Sequence, residues 1–265
     1  ILSLNTRGGK NRRVRHALMK RLLALNADII CLQDIKSLVS SSCNQGCPFC
    51  LPKSFHNFFT GSGINRGVLT LITKKMKIVS CVKEYSSRSD WHKIRISSNG
   101  VEFYIINAYG PNEKSFPFFQ SIINNTQRCG LLPIILLGDL NVDLDNTSHS
   151  SPNRAALQKV ILSLRLVDVM KKLCPGTFSW SRGNQKSRLD LALVSPFFTN
   201  RIRKAFYRPE PSSDHKLIEL EMMCHHRNFN CKIPNWVLDD NKFRDKLSRN
   251  LEATIIKCHT AYQAV

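Results

Sequence analysis

The chain has 265 residues, 42% of them hydrophobic, enough for one large core with or without a small appendage. Lysine and arginine number 39 against 19 acids, a formal charge of +20, which exceeds what solubility requires and points to a polyanionic partner, nucleic acid or an anionic membrane face. No apolar run is long enough to cross a bilayer and no segment reads as a signal peptide; the ten cysteines sit in apolar runs such as Ile29-Ile30-Cys31-Leu32 or singly in polar stretches, which argues for reduced intracellular thiols and against a secreted disulfide framework.

Residues 1–4 read as a short strand, already apolar at Ile1, so the chain is expected to be cut from a longer polypeptide or to have lost its own start. A basic polar turn follows. Residues 14–25 place Val14, Leu18, Leu22 and Leu25 at helical spacing, and 29–32 form a buried strand ending at Gln33-Asp34. Residues 37–63, rich in Ser, Gly, Pro and Cys, read as one long loop. Strands are predicted at 68–73, 77–82, 91–96, 101–107 and 134–137, a helix at 154–164, and further strands at 189–194 and 217–222. Interspersed strands and helices of this kind predict a layered α/β arrangement. Beyond Cys224 the chain turns polar and basic, then helix-like over 239–258, dividing the chain into a domain at 1–224 and a basic linker at 225–265.

Short polar residues fall at the edges of the buried strands. Asn5, Asp34, Asn107 with Tyr109, Asp139 with Asn141, Asp190 and Asp214-His215 each border an apolar run. Residues two apart in extended chain share a face, so Asp139 and Asn141 can address one ligand together. Carboxylates and amides without a Cys/His pattern suit a hard ion such as Mg2+, which stabilises charge on a phosphate and helps activate water. A histidine oriented by a carboxylate adds a general base or a hydrogen-bond donor to the transition state. Singly, each of these is better explained as a turn or a helix cap. It is their joint occurrence in this order that carries weight.

That order, Ser3-Leu4-Asn5, Leu32-Gln33-Asp34, Asn107-Ala108-Tyr109-Gly110-Pro111, Gly138-Asp139-Leu140-Asn141, Ser187-Arg188-Leu189-Asp190 and Ser213-Asp214-His215, resembles the endonuclease/exonuclease/phosphatase superfamily from residue 1 to about 224. Asn5-Thr6-Arg7-Gly8 and Thr177-Phe178-Ser179-Trp180-Ser181 are similar to its LINE-type (non-LTR) retrotransposon branch, in which repair enzymes' Asp is replaced at Arg7. Trp236-Val237-Leu238-Asp239-Asp240 looks like the segment joining such a nuclease to a reverse transcriptase.

The resemblance implies a four-layer α/β sandwich, two mixed sheets face to face with helices outside. It implies a Mg2+ ion, with Mn2+ as a substitute, at Asp34, supported by Asn5 and Asp214. Asp139 would orient or activate water, Asn141 would hold phosphate or water, and Tyr109 would bond the phosphate. His215, held by Asp190, would contact the scissile phosphate. One departure stands out: the family's metal-binding Glu is here Asp34, shorter by one methylene, so its oxygen falls back by about 1.5 Å and weaker metal binding is expected.

Arg7, Arg182, Asn184, Lys186 and Arg188 are expected to contact DNA, the last four from a hairpin beside the site. Arg12, Arg13, Arg15, Lys20 and Arg21 form a basic helix face, equally readable as solvated surface or as a phosphate contact. Cys43, Cys47, Cys50 and His56 do not match a common zinc finger, and Trp91 and Trp180 read as core rather than stacking platforms. The leading function is a nuclear endonuclease that nicks DNA and leaves a 3′-hydroxyl for a linked reverse transcriptase. A catalytically weakened nucleic-acid-binding copy and an inositol-lipid or nucleotide phosphatase are the alternatives.

Overall fold

A computed structural model describes residues 1–9, 11–35, 51–61, 67–85, 90–113, 115–127, 132–146 and 151–223, together with 241, 245, 248 and 249. The elements begin with β1 (Leu2–Asn5), α1 (Arg12–Ala24), β2 (Ile29–Gln33), β3 (Phe55–Thr60), β4 (Val68–Thr73) and β5 (Lys77–Tyr85). Next come β6 (Asp90–Ser98), β7 (Val101–Tyr109), α2 (Phe116–Gln127), β8 (Ile134–Asp139), α3 (Pro152–Ser163), β9 (Val167–Asp168) and α4 (Val169–Leu173). The last are β10 (Trp180–Arg182), β11 (Gln185–Ser187), β12 (Asp190–Val194), α5 (Pro196–Thr199), β13 (Ile202–Arg208) and β14 (Leu217–Met222).

The strands build two six-stranded sheets, ordered β13-β14-β1-β2-β4-β3 and β5-β6-β7-β8-β12-β9, with β10 and β11 pairing as a separate hairpin. Each large sheet is mixed. β1 and β2 pair in parallel, as do β7 and β8, and each parallel pair is joined through a helix, α1 or α2. A parallel neighbour cannot be reached by a tight turn, so these two helices are crossovers that must pack on the sheet's outer face.

Side chains alternate along each strand, and in the central strands β2, β8 and β12 both alternating sets are buried. Ile29 and Cys31 of β2 join Ile105 of β7, Ile135 and Leu137 of β8, and Ala192 and Val194 of β12 in one cluster between the sheets. The intervening Ile30 and Leu32 pack with Leu18, Met19 and Leu22 of α1, while Ile106, Leu136 and Leu193 pack with Phe119 of α2 and Leu157 of α3. Three apolar clusters thus separate four layers: helix, sheet, sheet, helix. The four-layer sandwich is the observed fold. Asn11 starts α1, its side chain accepting from the Val14 N–H at 2.9 Å.

The inward-facing stripe turns polar at one end of the sandwich. Following every second residue, Ile29 and Cys31 lead to Gln33, Ile105 to Asn107 and Tyr109, and Ile135 and Leu137 to Asp139. β12 runs antiparallel to β8, so its first residue, Asp190, stands opposite Asp139 at that same end. Gln33, Asn107, Tyr109, Asp139 and Asp190 therefore come to one end of the sandwich, where the core stops.

Several expectations need correction. Residues 37–63 are not one loop, because β3 occupies 55–60 within them. α2 and β13 were not anticipated. Arg15 does not belong to the exposed basic face: it is buried, and its guanidinium donates to the Gly9 carbonyl at 2.9 Å. Arg21 is half-committed to Glu210 through an ion pair. Trp91 is core, but Trp180 lies half-buried on the hairpin. Cys43, Cys47 and Cys50 lie outside the described residues. The chain divides into units Ile1–Cys224 and His225–Val265, the second described only at Asn241, Asp245, Ser248 and Arg249, all helical.

Candidate active site

Asp139 and Asp190 are cross-strand neighbours, both buried at the polar end of β8 and β12. Two carboxylates placed this way repel unless their surroundings distinguish them. They do. Asp139 accepts from the Asn5 side-chain amide at 2.7 Å and from the Asn141 backbone N–H at 3.0 Å. Asp190 Oδ2 instead takes His215 Nδ1 at 2.7 Å, leaving its Oδ1 buried without a hydrogen bond. His215 Nε2 lies 3.8 Å from Asp139 Oδ2, so the imidazole bridges the two acids. One oxygen from each carboxylate and a ring nitrogen of His215 fall within 4.8 Å of one another.

The electrostatics follow. Burial, reinforced by the Asp190 charge, raises the Asp139 pKa from 3.8 to about 7. For His215, burial alone would favour the neutral ring, yet the Asp190 carboxylate outweighs it and, with Asp139 and Asp214, raises the pKa to about 9. An acid that titrates near neutrality thus sits beside a cationic histidine.

Each part of this cluster is anchored from behind. Ser179 Oγ accepts from the backbone N–H groups of Leu189 and Asp190 at 3.0 and 2.9 Å, and Tyr207 donates to the Asp190 carbonyl at 2.7 Å. Ser213 Oγ accepts from the His215 N–H at 3.1 Å and donates to the Asn5 carbonyl at 2.7 Å. Below lies a buried polar chain. Gln33 Nε2 donates to Ser3 and to Asn107 Oδ1, Asn107 Nδ2 donates to Thr70, and Thr70 meets His92 at 2.7 Å, with Thr60 on the other ring nitrogen at 3.0 Å. Such networks hold position because every broken link leaves a polar group stranded away from water.

Glycines let the rim close. Gly138 has φ +141°, and a Cβ there would stand 1.9 Å from the Ala108 carbonyl oxygen; at Gly110 it would stand 2.3 Å from that of Leu140. Only hydrogen side chains allow the ends of β7 and β8 to touch, and Asn141 then donates to the Gly110 carbonyl at 2.7 Å. Arg7, Asp34 and Asn141, none of them glycine, all hold left-handed backbone at φ 50–52° just past a strand end. Strain of this kind concentrates where a loop must aim a side chain.

Of the residues expected to hold a metal, Asn5 is buried at the cluster, its Oδ1 accepting from the Arg7 N–H at 2.8 Å. Asp34 is half-buried, and its carbonyl is capped by the Gly8 N–H and the Thr6 hydroxyl. Asp214 is half-buried and faces the Arg7 guanidinium at 3.7 Å. Neither Asp34 nor Asp214 joins the three-residue group of Asp139, Asp190 and His215. Tyr109 ends β7, half-buried at the same rim.

The hairpin carries Arg182, Asn184 and Lys186 exposed. Arg188 is a correction: its side chain is 3% exposed, bonded to Asp145 at 2.5 Å and to Asp168 at 2.7 Å. Three of the five guanidinium N–H groups go to these two carboxylates and the side chain is buried, so Arg188 serves the fold rather than the exposed face of the hairpin.

Residues 2–215 match the family model of the Endonuclease/Exonuclease/phosphatase family. The chain belongs to that family. Solved structures with the same fold include the AP endonuclease LMAP from Leishmania major (TM-score 0.67, 16% identity, 83% of this chain and 86% of that one). They also include the Xenopus laevis APE2 catalytic domain (0.68, 18%, 83% and 90%) and an AP endonuclease from Archaeoglobus fulgidus (0.63, 20%, 83% and 98%). A 3′ phosphatase, NExo from Neisseria, bound to product DNA hairpin, matches at 0.62, with 20% identity over 84% of this chain and 98% of that one. No curated protein matches the chain.

Within the endonuclease/exonuclease/phosphatase fold, the sequence reading missed the supporting residues Ser179, Thr70, His92 and Tyr207. It also missed a polar hollow of about 250 Å³ beside Asn141, lined by Asn112, Asp143, Asn146, Asn153 and Arg154. The signal available for Asn112 was its place directly after Tyr109-Gly110-Pro111.

Proposed function

We propose that this family member is a divalent-metal-dependent endonuclease that nicks DNA and leaves a 3′-hydroxyl. The observation that carries the reading is the chain Asn5–Asp139···His215–Asp190, which places a carboxylate titrating near pH 7 beside a protonated imidazole. Phosphodiester hydrolysis needs both at once: a base to take the proton of attacking water, and a donor to stabilise charge on the phosphoryl oxygens. Asp139 suits the first task. His215 suits the second, with Nδ1 fixed by Asp190 and Nε2 turned to the Asp139 side. The high pKa of His215 favours the donor role over the general-base role that the sequence left open.

The donor set fits a hard divalent ion. Among the described residues the group is two carboxylates and one imidazole with no cysteine, and the buried Asp190 Oδ1 lacks a hydrogen bond. Asp34 would hold Mg2+, or Mn2+ in its place, with Asn5 and Asp214 in support. When bound, the ion supplies charge to the phosphate and acidity to its water. Arg7 competes for Asp214 and Asp34 is short, so metal affinity is expected to be low for such a site.

The sequence resemblance extends this reading to a LINE-type retrotransposon nuclease that acts in the nucleus and is joined to a reverse transcriptase. The charge of +20, together with the retrotransposon-like hairpin that carries Arg182, Asn184 and Lys186, favours DNA over a lipid headgroup. The test is incubation of the purified protein with supercoiled plasmid, in Mg2+ or EDTA, beside Asp139→Ala and His215→Ala. Metal-dependent nicking that falls at least a hundredfold in both variants is the expected result. Duplex binding with no nicking would establish a binding copy, and turnover of inositol phosphates without nicking would establish a phosphatase.

A further inference from the structure

Two lysines converge on one aromatic ring next to the catalytic histidine. Lys216 Nζ lies 3.5 Å from the centroid of Phe178 and Lys186 Nζ lies 4.8 Å from it. The ring is half-buried and cannot wander, because the segments that carry it are stitched together. The Lys216 N–H donates to the Ser179 carbonyl at 2.7 Å, and Trp180 bridges to His215. Lys186 reaches the ring from β11, whose partner β10 starts at Trp180.

Cation–π contact explains why one ammonium rests on Phe178. It does not explain two. Like charges sharing a ring repel. Lys171 and Lys204 are ion-paired, whereas neither Lys186 nor Lys216 is in a salt bridge among the described residues. A pair of cations brought together with no carboxylate between them is stabilised by an anion that accepts from both.

Neighbouring residues in extended chain point to opposite faces, so Lys216 is directed away from the acids that His215 meets. An anion held by Lys216 is therefore not the group under attack but one further along the same polymer. We propose that Lys186 and Lys216, seated on Phe178, form a phosphate clamp that grips the nucleic-acid backbone beside the scissile position. The clamp rests on the nuclease reading for its ligand, and it sets where the strand lies relative to His215. Lys216 is a positioning residue in this scheme.

The experiment is duplex binding in EDTA across a salt series, read by anisotropy of a labelled oligonucleotide of about 30 base pairs. The proteins compared are wild type, Lys186→Met, Lys216→Met, the double variant, Lys216→Arg, and a control with Lys74→Met and Lys75→Met, two exposed lysines on a distant turn. The double variant is expected to flatten the plot of log affinity against log salt by about 0.9, the slope of one lost phosphate contact. It should bind roughly tenfold more weakly near 0.1 M salt, while Lys216→Arg keeps the wild-type slope. The control, with equal charge removed, should also keep it.

An equal loss of slope in the control would reduce the effect to net charge and overturn the clamp, as would a double variant with wild-type slope. Should Lys216→Met not fold, the exposed Lys186→Met alone must weaken binding, or the clamp falls. A wild type that nicks plasmid while the double variant keeps its slope refutes the clamp and spares the nuclease. A wild type that shows the lysine-dependent slope but never nicks does the reverse.

Discussion

Asp139 and Asp190 face each other across β8 and β12 and differ only in what surrounds them. The Asn5 amide and the Asn141 backbone N–H hold one, and an imidazole neutralises the other. Residue type alone could not separate them, whereas position did bring them together, since both border apolar runs. Asp34 shows the opposite limit. Restoring the longer side chain with Asp34→Glu should raise nicking most at scarce Mg2+, and an unchanged metal titration would show that residue 34 does not reach the ion.

Arg188 was misread because charge reveals nothing about direction, and its partners Asp145 and Asp168 are remote in sequence. Arg188→Ala leaves Asp168 without its guanidinium and Asp145 with Lys171 alone, and should cost about 3 kcal/mol in urea unfolding, the low end for a buried pair because Asp145 is partly exposed and keeps a partner. Asp145 is held from 3.8 down to about 2, chiefly by its bond to Arg188. A depressed acid contributes stability above its unfolded pKa and loses it as pH falls through its folded one. The wild-type urea midpoint should therefore drop more steeply between pH 4 and pH 2 than that of Asp145→Asn.

At the scale of elements, legibility tracked how distinctive the local pattern was. β2 and β8 open on uninterrupted apolar runs, β4 is apolar but for Thr70 and its last residue, and α1 repeats Leu at helical spacing, so all were readable. α2 begins Phe-Pro-Phe-Phe and carries two adjacent isoleucines, residues that favour strands, and only its crossover duty between parallel β7 and β8 makes it a helix. β3 hides in Phe-His-Asn-Phe-Phe-Thr, whose polar residues do not alternate. The junction of β7 with β8 offers a sharp test. Gly138→Ala adds a methyl against backbone that cannot yield, and should cost at least about 3 kcal/mol and abolish nicking. Gly183→Ala, at φ +57° in the hairpin turn with open space around it, should cost only about 1 kcal/mol, measurable by the same melting experiment.

For the molecule as a whole, the surplus of positive charge governs encounter with its target and the paired sheets govern chemistry. If about three phosphates are neutralised on binding, duplex affinity should fall roughly 40-fold between about 50 and 200 mM salt. A flat response would remove DNA as the polyanion. The four layers themselves were foreseeable from alternating strands and helices together with the motif order, but which face of each doubly buried strand looks inward was not, because both faces are apolar.

Asn5 belongs to one sheet and Asp139 to the other, and His215 and Asp190 straddle the same gap. The reactive centre therefore works as a caliper across the sandwich: its jaws are set by how thickly isoleucine, leucine and valine are stacked between them. Trimming or swelling that filling, even far from the rim, alters the reach of acid to imidazole, so turnover becomes a sensitive gauge of interior volume.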